Sequence, residues 1–444
     1  MHATPFLPGL SPVGAKSLTA TFDAGRLSSD GGLIVLREIA SRLGLAQVIA
    51  GRLRDDRDPT RVLHSYSEMA LARMLMIAAG YEDCDDVDAL RTDPALKIAV
   101  GRAPDSGADL MSQPTLSRLE NLADWRALAR IGLGGIDLYC RSFKTPPRQI
   151  VLDIDDTDDP VHGQQELALF NAYYDCTCFQ PIYIFDGLSG KPVLSLLRPG
   201  KRPSGKEVAK VLRHVIRRIR KHWPKVQILV RGDSHYCSEP ALALLEAMRC
   251  DYVLGFAINS KLLEIAAPWR EHCDMRRSKM KPTVRRFHQL SYRAREWSRL
   301  RKVIARVEAT PMGTDVRFIV TNLEGRSKAL YEKVFCARGA AENLIKDMKR
   351  WTRSDKTACS RWQANQFRLF LHMGAYWLLH SLRRAAPKRS RWRGATFETI
   401  RRTFVKIAVR VEELKGKIKL AFPASYPQAA MLAAMTGAIT TRGP

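Results

Sequence analysis

Between residues 149 and 256 the chain presents short apolar runs and amphipathic stretches in an order that few folds can accommodate. Three strand-like runs separated by turn residues come first: QIVLDID, CFQPIYIFDG and KPVLSLL. A helical stretch follows, then the strand-like run VQILV, the helical stretch EPALALLEAMR and a last strand-like run, DYVLGFA. The first three runs can pair as an antiparallel meander, after which helices and strands alternate.

The chain is strongly basic. It carries 72 Lys and Arg against 45 Asp and Glu, so its formal net charge at pH 7 is +27. Such an excess concerns binding partners rather than the fold, and nucleic acid is the commonest polyanion. The cations also cluster, because from Arg276 to Arg306 a single acid, Glu296, lies among twelve Lys and Arg. The nine cysteines include no CxxC pair, which argues against zinc fingers and against a disulfide framework.

The predicted fold class is α/β, with a ribonuclease-H-like core in which helices flank a mixed sheet. We expect this core in two parts, residues 146–258 and 331–385, interrupted by a β-rich basic insertion at 259–330. Apolar spacing of three and four residues predicts helices at 1–145 and at 386–444. We expect the first region to bind DNA, and the second is basic.

One stretch of the N-terminal region could read a DNA sequence. The string MSQPTLSRLENL predicts a helix capped at Ser112. Thr115, Ser117 and Arg118 would project from its first turn, as from the second helix of a helix-turn-helix. An ordinary amphipathic helix explains the same letters, so both interpretations stay open, with Arg118 as the candidate DNA contact.

Five carboxylates occupy the seven positions from Asp153 to Asp159, directly behind the apolar run of the first strand. Because alternate residues of a strand share a face, Asp153, Asp155 and Thr157 should lie together. Mutual repulsion makes such a cluster costly to bury unless a cation sits among the oxygens. Mg²⁺ is a cation that prefers oxygen ligands. Periodicity does not separate Asp153 from Asp155, and a solvated acidic turn is the alternative.

Two further acids could join this cluster. Asp233 follows the fourth strand, and strand–helix junctions at carboxyl ends are where open α/β sheets bind ligands; capping of the next helix is the alternative. Glu342 lies on a predicted helix at 335–351, on one stripe with Arg338 and Lys349, which alone could be a salt-bridge ladder. Three acids on separate elements could instead surround two metal ions, as in-line displacement at phosphorus requires.

Together these residues resemble the DDE transposases of bacterial insertion sequences. The motifs are D-x-T at Asp155, GDSHY around Asp233, and R-x3-E-x6-K through Arg338, Glu342 and Lys349. The fuller string LDIDDTDDPVHGQQE, with YIFDG, LRPG and VRGDSHY, is closest to the insertion-sequence group numbered thirteen-eighty. The resemblance implies that Asp155, Asp233 and Glu342 are catalytic and bind two Mg²⁺ ions, for which Mn²⁺ should substitute. Only the D-x-T match favours Asp155, so Asp153 stays a candidate metal ligand.

The resemblance also implies DNA contacts. Arg338 and Lys349 match basic residues that contact phosphates near the cleaved end, and Lys346 on the same helix is included in the predicted set. The related pattern has Tyr where this chain has Phe335, which removes a hydroxyl. In relatives an insertion-domain Trp helps to hold a flipped base, and Trp297 is the candidate here; a packing role is its alternative.

The implied activity is cut-and-paste DNA transposition, in which a homodimer on paired ends binds terminal inverted repeats and performs Mg-dependent strand cleavage and strand transfer. One alternative is a catalytically inactive, transposase-derived DNA-binding protein. Another is a haloacid-dehalogenase-like phosphatase with Asp153 as nucleophile and Asp155 as acid/base. Two features argue against the phosphatase. That class has a metal-binding acid where this chain has Cys237, and hydrolysis of a small phosphate does not require a net charge of +27.

The expected location follows from two sequence features. The opening MHATPFLPGLSPVG lacks the basic-then-apolar pattern of a signal peptide, and no run of about 18 uncharged apolar residues occurs. We therefore expect a bacterial cytoplasmic protein associated with the nucleoid, and no membrane partner. The sequence leaves open whether His162 in DPVHG acts in the chemistry, and a structural hydrogen-bonding role is the favoured interpretation.

Overall fold

The structure is a computed structural model that describes residues 7–280 and 282–441. The strands among these residues are β1 (Arg26–Ser28), β2 (Gln149–Asp156), β3 (Asp159–Pro160), β4 (Leu169–Asn171), β5 (Cys176–Phe179), β6 (Ile182–Asp186), β7 (Pro192–Leu196), β8 (Gln227–Gly232), β9 (Asp251–Phe256), β10 (Val284–Tyr292), β11 (Arg301–Thr310), β12 (Gly313–Thr321), β13 (Val409–Leu414) and β14 (Lys417–Ala421).

The α-helices are α1 (Leu33–Leu43), α2 (Leu45–Ala50), α3 (Tyr66–Ala79), α4 (Asp86–Leu90), α5 (Pro94–Ala99), α6 (Gln113–Glu120), α7 (Trp125–Arg141), α8 (Gly205–His222), α9 (Glu239–Ala247), α10 (Ser260–Met280), α11 (Ser327–Ala329), α12 (Gly339–Lys346), α13 (Trp362–Ala385), α14 (Phe397–Ile400) and α15 (Ala429–Thr441). Wider, π-helical turns flank α12 at Leu330–Phe335 and Asp347–Trp351. The described chain contains no helix that combines the length and the apolar character needed to span a membrane.

The chain divides into two compact units. One comprises the residues up to Leu119 together with those from Leu378 onward, and the other comprises Glu120–Trp377. The second unit holds the residues predicted to carry the chemistry, and it is built on an eight-stranded mixed sheet with the order β10-β11-β12-β9-β8-β2-β6-β7.

The centre of this sheet has the predicted strand order. β2, β6 and β7 form an antiparallel meander, while β8 lies parallel to β2 and β9 parallel to β8. β2 is covered on both faces, because Ile150, Leu152 and Ile154 on one face are at most 1% exposed and Val151 and Asp153 on the other are at most 5% exposed. Because β2 and β8 are parallel, their carboxyl ends meet at one edge of the sheet. This edge carries Asp155 and Asp233, and we call it the carboxylate edge.

The predicted second strand is divided in the structure. CFQPIYIFDG forms two strands, β5 and β6, separated by Gln180 and Pro181. Proline has no N–H to donate to a ladder, so pairing breaks there. β5 pairs instead with β3 and β4 in a small separate sheet.

The insertion predicted to be β-rich begins with a helix of 21 residues, α10. Its three strands, β10 to β12, are antiparallel and continue the main sheet through the pairing of β12 with β9. β10 and β11 pair along nine residues from Val284 to Tyr292, and β12 pairs with β9 along four, which joins these strands to the main sheet.

The first unit also departs from the prediction. Its chain after residue 386 is not helical throughout, because β13 and β14 form a hairpin to which β1 adds a third strand. The helical prediction for 386–444 is therefore wrong at these strands. Val409 and Val411 are buried while Arg410 and Glu412 between and beside them are exposed, an alternation that strands produce.

Candidate active site

Asp153 and Asp155 share one face of β2 but differ in their surroundings. The Asp153 carboxylate is fully buried and accepts two hydrogen bonds from Arg231, one from Nε at 2.6 Å and one from Nη2 at 2.7 Å. Arg231 stands opposite Asp153 in the parallel register of β2 and β8. The Asp153 oxygens are therefore occupied by a neighbouring strand, and this carboxylate is not placed to attack a phosphate.

Asp155 lies two residues further along, where the carboxylate edge opens. Its Oδ2 accepts a hydrogen bond from Arg338 Nη1 at 2.9 Å. Burial is the main cause that raises the pKa of Asp155 to about 7; the charges of Asp233 and Asp156 act in the same direction, and Arg338 opposes them. Asp155 is thus only partly ionised at neutral pH, and further positive charge nearby would favour its charged form.

Asp233 follows the carboxyl end of β8 and begins a short helical turn. Its Oδ1 accepts a hydrogen bond from the backbone N–H of His235 at 2.8 Å, and its side chain is 31% exposed. The neighbouring strand approaches this turn closely at Gly255, where a Cβ would lie 2.8 Å from the backbone N of Ser234. Asp233 caps this short turn and not the next helix, α9, whose N-cap residue is Ser238. Asp233 remains accessible from solvent.

Glu342 reaches the same edge from α12. Its side chain is 57% exposed, and its Oε1 lies 3.9 Å from Arg338 Nη2, one helical turn before it in the chain. The guanidinium of Arg338 consequently lies between the carboxylates of Asp155 and Glu342. The predicted stripe thus brings Arg338 and Glu342 together, as the spacing of four residues indicated.

Lys349 fixes the chain just after β2. Its Nζ donates to Thr157 Oγ1 at 3.1 Å and to the backbone oxygen of Asp158, and it lies 3.8 Å from the buried carboxylate of Asp159. Lys346, on the same helix, is exposed. Lys349 therefore joins the predicted Glu helix to the acidic segment that follows β2.

The carboxylates suit a hard divalent cation by their chemistry. In the part of the chain that the structure describes, no three His, Cys, Asp or Glu side chains converge closely enough to hold a metal ion. Arg338 supplies positive charge between Asp155 and Glu342 instead. This one guanidinium does not return the pKa of Asp155 to its ordinary value. Oxygen donors short of positive charge are what a divalent ion requires, so the donor chemistry of these residues suits such an ion.

Comparison with known proteins decides the family. The family model described as transposase DDE domain group 1 matches residues 10–443. The chain belongs to this transposase family. It is therefore an enzyme that acts on DNA. Among solved structures, the cryo-EM structure of the piggyBac transposase synaptic complex with hairpin DNA is similar, at 10% identity and a TM-score of 0.45, over 85% of this chain and 80% of that chain. No curated protein matches the chain.

Sequence reasoning missed a second set of polar groups behind the acids of this transposase. Asp156, on the opposite face of β2 from Asp155, accepts hydrogen bonds from Tyr236 Oη at 2.9 Å and from Gln180. His235 Nδ1 lies 3.6 Å from Asp156 and 3.8 Å from Asp233, and the nearby Asp156 carboxylate is the main cause that raises the pKa of His235. The signal was present in the string DSHY, whose His and Tyr follow Asp233 directly.

Trp297 and Arg118 are the remaining predicted DNA contacts of the transposase. Trp297 is 4% exposed and packs on Phe256, with ring centroids 4.8 Å apart, so stacking on a base would require it to leave this packing. Arg118 is exposed on α6, and its Nη2 donates to Thr115 Oγ1 at 3.1 Å. The preceding helix ends at Ala99, so the connection is longer than a helix-turn-helix turn. The DNA roles of Trp297 and Arg118 stay predictions.

Proposed function

We propose that this transposase moves its own DNA element by cut and paste, with Asp155, Asp233 and Glu342 as the metal-binding catalytic acids. The observation that carries the proposal is the position of the Arg338 guanidinium, 2.9 Å from Asp155 and 3.9 Å from Glu342. Two acids from distant parts of the chain thereby share one cation. Asp233 is close enough for its charge to raise the pKa of Asp155.

The same carboxylates can serve both chemical steps. Bound Mg²⁺ would supply hydroxide near neutral pH and stabilise charge on the attacking and leaving oxygens. Asp155, Asp233 and Glu342 would hold it, while His235 and Tyr236 keep Asp156 and Asp233 oriented. Cleavage of the element's ends by water and attack of the freed 3′-hydroxyl on target DNA are both displacements at phosphorus. Mn²⁺, which also accepts oxygen ligands, should substitute for Mg²⁺.

Asp153 is assigned a structural role in this proposal. Its two hydrogen bonds with Arg231 use the carboxylate oxygens, and its side chain is inaccessible to solvent. Breaking such a buried pair to bind metal would leave Arg231 uncompensated. Asp155 is paired with Arg338, which is partly exposed. Breaking this pair should cost less free energy than breaking the buried pair of Asp153 and Arg231.

Arg338, Lys346 and Lys349 are proposed to contact DNA phosphates near the cleaved end. Arg338 has a second role here, because a phosphate that attracts its guanidinium would free Asp155 and Glu342 for metal. Lys349 Nζ donates hydrogen bonds to Thr157 and Asp158, so its contact with a DNA phosphate would form beside the acidic segment that follows β2.

We also propose the fold of the catalytic core, the insertion-sequence group, the dimeric assembly and the cellular location of the enzyme. The order β7-β6-β2-β8-β9, with its antiparallel meander and two parallel steps, supports a ribonuclease-H-like core. The string LDIDDTDDPVHGQQE supports membership of the insertion-sequence group numbered thirteen-eighty. We further propose that two protomers assemble on paired inverted repeats, and that the enzyme works in the bacterial cytoplasm on nucleoid DNA.

The test is cleavage of a DNA fragment that carries one end of the element. Inverted repeats that flank the reading frame supply this fragment, and the purified wild-type protein is incubated with it in Mg²⁺, in Mn²⁺ or in EDTA. The proposal expects a nick or break at the element boundary with either metal and intact DNA in EDTA. Specific binding of the end without cleavage in any metal would favour the inactive DNA-binding alternative.

A further inference from the structure

One face of α8 carries a continuous row of exposed cations. Lys206, Lys210, Arg213, Arg217 and Lys221 are all exposed and follow one another at intervals of three and four residues. At about 100° per residue these positions fall within one narrow arc of the helix, opposite the apolar face buried against the sheet. We call this row the α8 stripe.

The α8 stripe has no counter-charges of its own. Within the described part of the chain, none of its five side chains forms an ion pair or a side-chain hydrogen bond. The one acid of α8, Glu207, accepts two hydrogen bonds from Arg198, at 2.6 and 2.9 Å. The charge of the stripe is therefore uncompensated.

Other cations of the same helix behave differently. Arg218 Nε donates to Asp137 at 2.7 Å, and His222 lies 2.8 Å from the same carboxylate. Arg220 donates to the backbone oxygen of Met248. The helix thus separates cations that hold α7 and α9 from cations that face only solvent. Uncompensated charges aligned on one exposed face are typical of a surface that binds a polyanion.

The dimensions of the α8 stripe suit a duplex. Fifteen residues separate its first and last members, which at 1.5 Å per residue is about 22 Å. That is the length of roughly six to seven base pairs at about 3.4 Å each. The side chains of the α8 stripe can therefore contact several phosphates of one DNA strand at the same time. Such contacts do not distinguish one base sequence from another.

The α8 stripe begins at the site already described. Arg202, just before α8, donates from Nη2 to the backbone oxygen of Ser234 at 3.2 Å, next to Asp233. A Cβ on Gly205 would collide with Ser238 in the same loop. Because α8 then runs back to the start of β8, the stripe leads away from the carboxylate edge.

We infer that the α8 stripe binds the phosphate backbone of target DNA and leads that duplex to the carboxylate edge. The inference rests on the proposed function. Target DNA is the partner it fits, because the target must be held without a fixed sequence, and a row of Lys and Arg supplies affinity without reading bases. The element's ends, in contrast, have a defined sequence that calls for base contacts.

The test compares two variants that remove equal charge from exposed helix positions. The stripe variant is Lys210→Gln, Arg213→Gln and Arg217→Gln. The control is Arg141→Gln on α7 with Lys261→Gln and Arg270→Gln on α10, three exposed cations outside the basic cluster at 276–306. Binding to a duplex of arbitrary sequence is measured against salt concentration, and end cleavage and strand transfer are measured on the same preparations.

The stripe variant should bind the arbitrary duplex roughly tenfold more weakly near 0.15 M salt, with a salt slope smaller by about 2.7 for three lost phosphate contacts. Strand transfer should fall in parallel while end cleavage stays near wild type. The control should keep both the affinity and the slope. Arg213→Lys with Arg217→Lys keeps the charge and should bind like wild type, which separates charge from packing.

Three results would overturn the inference: equal losses in the stripe and control variants, normal strand transfer in the stripe variant, or stronger competition by single-stranded RNA than by duplex DNA. The proposed function fails separately, if wild type does not cleave the ends. In that case the DNA affinities and salt slopes of the two variants still test the inference about the α8 stripe, because the binding measurement does not depend on cleavage.

Discussion

Arg231 and Asp153 face each other on adjacent parallel strands and form a buried ion pair with two hydrogen bonds, 2.6 and 2.7 Å long. Arg231 also donates from Nη1 to the backbone oxygen of Val334 at 2.9 Å. The pair therefore links β2, β8 and the segment that leads into the Glu342 helix. It separates two aspartates that strand periodicity alone leaves equivalent.

Replacing Asp153 with Asn should destabilise the protein strongly. The change leaves the Arg231 charge buried without its partner, which costs about 3–5 kcal/mol in comparable pairs. Urea unfolding monitored by circular dichroism measures this loss. Asp155→Asn is the matched control on the same strand face. The urea concentration at its unfolding midpoint should equal or exceed that of wild type. Similar stability of the Asp153 variant and wild type would contradict the structural role of Asp153.

The pKa of Asp155 predicts a pH-dependent stability. Its folded-state pKa is about 7 and its ordinary value is 3.8, so the folded state holds the proton more tightly. Stability from this group is then fully present below about pH 4 and is lost as the pH rises towards 7. The loss approaches about 1.4 kcal/mol per pH unit, and at most about 4 kcal/mol in all.

The measurement is the free energy of unfolding of wild type and Asp155→Asn between pH 4.5 and 8 without metal. Wild type should lose stability relative to the variant as the pH rises, with the difference levelling above pH 7. A wild-type curve parallel to that of the variant across this range would show that Asp155 has an ordinary pKa. Added Mn²⁺ should reverse the loss in wild type only, because it favours the ionised carboxylate.

Removing Arg338 should strengthen metal binding by the DNA-free enzyme. In Arg338→Gln the guanidinium no longer lies between Asp155 and Glu342, so a divalent ion meets no competing cation. At pH 8 the Mn²⁺ affinity measured by electron paramagnetic resonance should rise several-fold, since one nearby charge contributes about 1 kcal/mol or more. Affinity for element-end DNA should fall, because a phosphate contact is lost.

Arg350→Gln is the control for this experiment, because Arg350 is exposed on the same helical segment. It should leave Mn²⁺ affinity unchanged. Weaker Mn²⁺ binding in Arg338→Gln than in the control would mean that Arg338 organises the metal site instead of competing for it.

The fold could be predicted from the sequence where local patterns agree with burial. The apolar faces of α8 and of the central strands identified the succession of strands and helices along the core, because alternation and helical spacing there reflect burial. The hairpin of β13 and β14 was missed although Val409 and Val411 alternate with charged residues. A high content of Lys and Glu, both common in helices, concealed that alternation.

The site was only partly predictable for a physical reason. Strand-end position and the D-x-T resemblance predict Asp155 and Asp233 as site residues, but the cation that meets each carboxylate depends on tertiary register. Arg231 lies 78 residues after Asp153 and Arg338 lies 183 residues after Asp155, so no local pattern connects them. The role of Asp156 with Tyr236 needed the same information.

Strand cleavage by single carboxamide variants tests the central claim most directly. Asp155→Asn, Asp233→Asn and Glu342→Gln are each compared with wild type and with Glu264→Gln, an exposed acid on α10. The substrate is labelled DNA with one element end, in Mg²⁺. Each of the first three variants should bind the DNA within a few-fold of wild type and lose cleavage by roughly a thousandfold, as expected when several kcal/mol of metal stabilisation disappear. Glu264→Gln should cleave normally. Near-normal cleavage by any one of the three variants would contradict the assignment of that residue to the catalytic acids.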